Sequence, residues 1–204
     1  MGYLDNLFSV EGKVALVTGG ATGIGRMVAT GLVMGGATVL LASRKGEACE
    51  SVAEELNALG ATGQAIGFAG DVGSDEGVKA LVAAVNARTD KLHILVNNAG
   101  GLFTLTRDLL PLMDAASSDG DPGRVINLGS VMGTVPVAEG AYSYSASKAA
   151  VHHLTRILAN EFAKRRITVN AFAPGPFQSK MTAFATGSEE KALKVGQGVP
   201  LGRI

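Results

Sequence analysis

V-A-L-V-T-G-G-A-T-G-I-G, residues 14–25, decides the fold. A short apolar strand runs into glycines at 19, 20, 23 and 25, and apolar residues at Met27, Val28, Leu32 and Val33 then recur at helical spacing. A strand entering a glycine turn and then a helix is the setting a dinucleotide phosphate requires. Glycines let the pyrophosphate approach backbone N–H groups at the positive end of the helix. The spacing departs from G-x-G-x-x-G, and a purely structural turn could also use Gly19 and Gly20.

Outward from this segment, strands are predicted near 13–18, 37–42, 64–70, 92–96, 123–129 and 167–172. Helices are predicted near 23–34, 46–59, 74–88, 102–117, 142–163 and 179–194. Such alternation implies an α/β protein: a Rossmann-type, doubly wound parallel sheet in three α/β/α layers, with ligands at the carboxyl ends of the strands. Residues 1–204 read as one nucleotide-binding domain, without repeat or linker.

Composition excludes several function classes. The 18 basic residues balance the 18 acidic ones, so there is no electrostatic footprint for nucleic acid or an anionic membrane. The one basic cluster, Lys164, Arg165 and Arg166, falls at a helix C-terminus, where the dipole favours cations. The 28 glycines suit a fold with many tight strand-to-helix turns. Cys49 is the sole cysteine and can form no internal disulfide, which suits a reducing compartment; the cytosol is the expected location. No apolar run approaches the length of a membrane span. His152 and His153 are adjacent, project about 100° apart on a helix and cannot form an i,i+4 metal pair, so no metal is expected.

Chemistry concentrates in Y-S-A-S-K, where Tyr144 and Lys148 follow Ser130. An i,i+4 spacing places phenol and ammonium on one helix face. At about 4 Å and an effective dielectric near 20, opposite unit charges attract by about 4 kcal/mol, so a lysine so placed favours the phenolate and makes the tyrosine a proton donor. Tyr142 is six residues from Lys148 and faces elsewhere.

T-G-G-A-T-G-I-G, N-N-A-G at 97–100, Ser130, Y-x-x-x-K and P-G at 174 and 175 occur in the order found in short-chain dehydrogenases/reductases, and the chain resembles that family over nearly its whole length. It is most similar to the NADPH-dependent 3-oxoacyl-(acyl-carrier-protein) reductases. The resemblance implies hydride transfer between nicotinamide and a ketone or secondary alcohol, with a 3-oxoacyl thioester as candidate substrate. Tyr144 would be the proton donor, Ser130 would bind the substrate oxygen, and Lys148 would acidify the phenol and hold the nicotinamide ribose. Gly19, Thr22, Gly23, Ile24 and Gly25 would receive the pyrophosphate. Ser43 and Arg44 would receive a 2′-phosphate, since Ala42-Ser43-Arg44-Lys45 contains no carboxylate to repel it and arginine offers a bidentate fork. Asp71 and Val72 resemble the adenine-contacting pair, although Asp71 could equally be a turn residue. Asn97, Ala99 and Gly100 match adenosine and nicotinamide-ribose neighbours, and Pro174, Gly175, Phe177 and Ser179 match the loop over nicotinamide. Met181, Phe184 and Leu193 would cover the substrate. Partners would be a small carbonyl or alcohol and, for a longer chain, further copies of itself.

Two departures stand out. Gly101 joins N-N-A-G directly to Leu102-Phe103-Thr104, where the family has a longer connection carrying a catalytic asparagine. Asn98 belongs to the strand-end motif and cannot serve in both places. The sequence also stops at Ile204, before the family's last helix and strand, which would leave strand 167–172 as a sheet edge. A sequence that omits residues of a longer enzyme, a truly shortened product and a noncatalytic NADPH-binding module all account for this. The first reading predicts a break in space between Gly100 and Gly101.

Overall fold

A computed structural model describes residues 8–136, 140–177 and 182–204. The chain divides into two compact units, the first running to Leu128 and resuming over His153–Ala171, the second comprising Gly129–His152 and Phe172–Ile204.

In chain order the elements are β1 (Val14–Thr18), α1 (Gly23–Met34), β2 (Thr38–Ser43), α2 (Gly46–Asn57), β3 (Gln64–Ala69), α3 (Asp75–Asn86), β4 (Ile94–Asn97), α4 (Leu102–Ala116), β5 (Gly123–Leu128), α5 (Tyr142–Phe162), β6 (Ile167–Phe172), α6 (Ala183–Thr186) and α7 (Glu189–Gly196). The six strands form one sheet in the order β3-β2-β1-β4-β5-β6. Val14 to Thr18 pair in parallel with Thr38 to Ala42, Ala15 to Val17 with Ile94 to Val96, and Ile94 to Asn97 with Arg124 to Asn127.

The strand alternation sorts side chains onto two faces. Leu16, Leu40, Leu95 and Val125 join Leu81 of α3, Leu109 of α4 and Leu158 of α5 in one core. Ala15, Val17, Val39, Leu41 and Val96 join Val33 of α1 and Val52 of α2 in the other. Burial on both faces explains why the strands read as continuous apolar runs. The strand order reverses at β1, which has β2 on one side and β4 on the other. The crevice beyond the carboxyl ends of β1 and β4 is the ligand position of such sheets.

The joint after Gly100 is a continuous turn, contrary to the expected break. Gly101 adopts the left-handed conformation (φ 70°), and its carbonyl accepts the N–H of Leu105, so α4 starts at once. A Cβ at position 101 would lie 2.4 Å from the Val72 carbonyl oxygen, so both backbone angle and close approach require glycine here. The helix expected over 179–194 is also corrected. Gly187 closes α6 by bonding to the Ala183 carbonyl, and Ser188 starts α7 anew, its hydroxyl accepting the N–H of Lys191. Residues 178–181 lie outside the described part. At the basic cluster the chain leaves α5 through a short 3-10 turn, with Arg165 paired to Asp114 and Arg166 to Asp119.

Candidate active site

In the first unit, the turn after β1 is shaped for an anion. Gly19 (φ 66°) and Gly23 (φ 54°) occupy conformations that side chains resist. A Cβ at Gly25 would stand 2.4 Å from the Gly19 carbonyl, whereas nothing lies within 4 Å of one at Gly23. Thr22 precedes α1 without a side-chain cap, and no acid occupies the first turn. By contrast α3 and α7 are capped by Ser74 and Ser188 and carry two acids each in their first turns. The N–H groups and positive dipole of α1 are therefore left for a negatively charged ligand, and a pyrophosphate fits the cradle.

Thr18 and Asn98 build this cradle; the sequence placed Asn98 only in the strand-end motif and gave Thr18 no role. The Thr18 hydroxyl donates to the Val96 carbonyl and accepts the N–H groups of Asn98 and Ala99 at 3.1 Å each. The Asn98 amide donates to the carbonyls of Thr18 (3.0 Å) and Gly19 (3.3 Å). These bonds lock the N-N-A-G turn to the glycine turn across the switch point.

Arg44 is exposed beyond β2 and, among the described residues, has no ion-pair partner. The Ser43 hydroxyl donates to the Lys45 carbonyl and accepts the Cys49 thiol; burial raises the pKa of that thiol. Asp71 accepts the N–H of Gly73 at 3.0 Å, which is the turn role left open in the sequence, and Val72 packs against Gly101.

Asn97, expected beside a cofactor, turns its side chain into the sheet. Its side chain is buried, donating to Thr106 (3.0 Å) and to Asn127 (2.9 Å) on the neighbouring strand. Asn127 in turn donates to Thr155 of α5 at 3.0 Å. The Asn97 Oδ1 is the one buried side-chain polar atom among the described residues left without a partner. The only sequence signal for this row of hydrogen bonds is an asparagine at or near the end of each of two apolar strands.

The second unit holds the proton-transfer candidates. Ser130 is buried, and its hydroxyl accepts the N–H of Met132 at 3.2 Å, leaving its own proton to donate. Tyr144 and Lys148 share a face of α5, with Nζ 5.6 Å from the centre of the phenol ring. Tyr144 is 41% exposed, whereas Tyr142 stands out at 78%. Burial pushes the Lys148 pKa below the usual lysine range. The Pro174 carbonyl accepts the N–H of Val131, tying the P-G loop to the turn after Ser130. Gly175 and Phe177 follow in that loop, Ser179 and Met181 lie outside the described residues, and Phe184 and Leu193 are exposed. His152, considered in the sequence only as a metal ligand, contacts the main chain of Ser130.

A parallel sheet with an open anion cradle at its switch point, in a chain that also carries a Ser-Tyr-Lys set on a turn and helix, defines a nucleotide-dependent dehydrogenase. The family model for short chain dehydrogenase matches residues 13–102 and 101–190. The rhamnolipid-biosynthesis 3-oxoacyl-(acyl-carrier-protein) reductase of Pseudomonas aeruginosa is 39% identical over 220 residues, covering 96% of this chain and 85% of that protein. The FabG reductase of the same organism is 37% identical over the same shares. Among solved structures, the Pseudomonas aeruginosa RhlG/NADP active-site complex superposes with a TM-score of 0.89 at 40% identity, covering 96% of this chain and 84% of that one. A single-residue variant of the actinorhodin polyketide ketoreductase with NADPH gives 0.80 at 30% identity, covering 94% and 84%.

The chain belongs to the short-chain dehydrogenase family and is an oxidoreductase acting on CH–OH and C=O groups. The two matched pieces meet at Gly101 and Leu102, and the 220 aligned positions exceed the 204 residues of this chain. The short joint is thus where this chain lacks residues that its relatives have. Among the described residues, no helix is long and apolar enough to cross a membrane, and no cluster could hold a metal ion.

Proposed function

We propose that this protein reduces a ketone to a secondary alcohol with NADPH. The observation that carries the reading is the Tyr144–Lys148 pair on one face of α5, with Ser130 in the same unit. When bound, the dinucleotide supplies a hydride from nicotinamide C4. Ser130 donates a hydrogen bond to the substrate oxygen. Tyr144 delivers its proton to that oxygen as negative charge develops, and solvent reprotonates the tyrosine. Lys148 sets its ammonium beside the phenol and holds the nicotinamide ribose. The uncapped start of α1, with Gly19, Thr22, Gly23, Ile24 and Gly25, receives the pyrophosphate. Arg44 and Ser43 receive the 2′-phosphate, and Asp71, Val72, Ala99 and Gly100 border the nucleoside. Pro174, Gly175, Phe177 and Ser179 border the nicotinamide.

Relatives named as 3-oxoacyl-(acyl-carrier-protein) reductases make a 3-oxoacyl thioester the candidate substrate, and the exposed side chains of Phe184 and Leu193 offer an apolar surface to an acyl chain. The short Gly100–Gly101 joint favours a second reading, a module that binds NADPH without catalysis. Oxidation of NADPH against a panel of ketones and 3-oxoacyl thioesters tests the two. Turnover supports the reductase, whereas tight NADPH binding without turnover of any substrate supports the module.

A further inference from the structure

We infer that His152 is a positioning residue for Ser130, acting through a hydrogen bond from its Nε2–H to the Ser130 carbonyl. This rests on the reductase reading for its catalytic consequence, but the bond itself stands on geometry. His152 lies one turn beyond Lys148 and two beyond Tyr144 on α5. Its Nε2 is 2.9 Å from the Ser130 carbonyl oxygen and 3.4 Å from the Ser130 nitrogen. The shorter contact selects the Nε2–H tautomer, since a bare Nε2 would face the carbonyl lone pairs. The same carbonyl accepts the N–H of Gly133 at 2.9 Å, so two donors occupy its two lone pairs.

The packing around the ring supports a built arrangement. A Cβ at Gly129 would come within 2.3 Å of His152 Cε1, and one at Gly133 within 2.7 Å of His152 Cδ2. The imidazole therefore occupies a slot between Gly129 and Gly133, where a side chain at either position would displace it. Gly133 also lets its turn approach the Lys148 backbone, where a Cβ would stand 2.6 Å from the carbonyl carbon. The Ser130 main chain is thereby fixed to the helix that carries Tyr144 and Lys148. With its backbone held and its oxygen accepting the Met132 N–H, the Ser130 hydroxyl keeps its proton to donate from a fixed position. Misplacement of such a group by about 1 Å can lower a rate by about a hundredfold.

Two variants test this. His152→Leu fills the slot without a donor, and His152→Gln returns an N–H at a similar reach. With NADPH and a ketone that the wild type reduces, His152→Leu should lower kcat by about ten- to a hundredfold while the NADPH dissociation constant stays within about twofold. His152→Gln should recover most of kcat. Unchanged kcat in His152→Leu, no recovery in His152→Gln, or an equal loss of NADPH affinity in both overturns the positioning role. Nitrogen-15 shifts of the wild-type imidazole give a readout independent of turnover. A proton on Nε2, together with faster exchange of the Gly133 amide in His152→Leu than in His152→Gln, supports the bond; a bare Nε2 overturns it. A wild type that turns over no ketone defeats the reductase reading, and the imidazole shifts still judge the bond.

Discussion

At the scale of single residues, the reading depends on groups whose removal should act on separable steps. Tyr144→Phe deletes one hydroxyl and should lower ketone reduction by about 10²- to 10⁴-fold, as loss of a general acid does, with NADPH affinity nearly unchanged. Single-turnover kinetics and cofactor titration check both halves, and wild-type turnover would exclude Tyr144 as the acid. Arg44 should set cofactor choice. A charge-assisted hydrogen bond contributes about 1.5–3 kcal/mol, so Arg44→Ala should weaken NADPH binding by about ten- to a hundredfold and leave NADH almost unaffected. Equal affinities of the unmodified protein for the two cofactors would defeat that assignment. These residues were legible in the sequence because spacing alone brings Tyr144 and Lys148 together, and because Arg44 directly follows the second strand. The inward bonds of Asn97 were hidden for the converse reason. Its partners Thr106 and Asn127 lie 9 and 30 residues away, and only the strand pairing reveals them.

At the scale of elements, the joint between β4 and α4 carries the clearest consequence. Gly101→Ala must place a methyl group at positive φ and against the Val72 carbonyl. It should destabilise the protein by about 1–3 kcal/mol, read as a lower urea midpoint; an unchanged midpoint would show that the turn has a different shape. The hydrophobic pattern located α4 without difficulty, as its apolar face recurs at helical spacing through Leu105, Leu109 and Leu112. What the pattern could not supply was the route into the helix, because that depends on the left-handed Gly101 and on its contact with Val72. For the same reason the single helix expected over 179–194 is two, since the interruption at Gly187–Ser188 rests on local capping bonds.

At the scale of the molecule, stability should fall in mild acid through a half-buried histidine of the first unit. His93 Nδ1 accepts the N–H of Val14 at 3.0 Å, which a protonated ring could not do. Burial lowers its pKa, and nearby Lys13, Lys91 and Arg124 act in the same direction, while Asp121 opposes them. A folded-state pKa below the unfolded one means that the unfolded chain binds more protons. Stability is therefore lost as pH falls below the ordinary histidine value of about 6.5 and continues to fall until the folded-state pKa is passed. His93→Asn keeps an acceptor near Val14 and removes the titration. Its urea midpoint should vary less with pH across that interval than the wild type's, and identical pH profiles would overturn the assignment. Further into acid the Asp121 carboxylate adds its own loss. Burial opposes its ionisation, but hydrogen bonds from Lys13 and Arg124 hold its pKa below the usual value, so its contribution disappears as pH falls through that lowered pKa.

The sequence by itself determined the doubly wound sheet, the glycine turn after β1 and the shared helix face of Tyr144 and Lys148, because each follows from periodicity or from spacings of a few residues; Ser130 entered only through the family resemblance. Tertiary structure alone decided that Gly101 closes a continuous joint, that Asn97 turns inward to Asn127, that Thr18 and Asn98 clasp the cradle, and that His152 is seated between Gly129 and Gly133. Those contacts join residues far apart in the chain. They exist only once parallel strands in register and a packed helix have brought the partners within hydrogen-bonding distance.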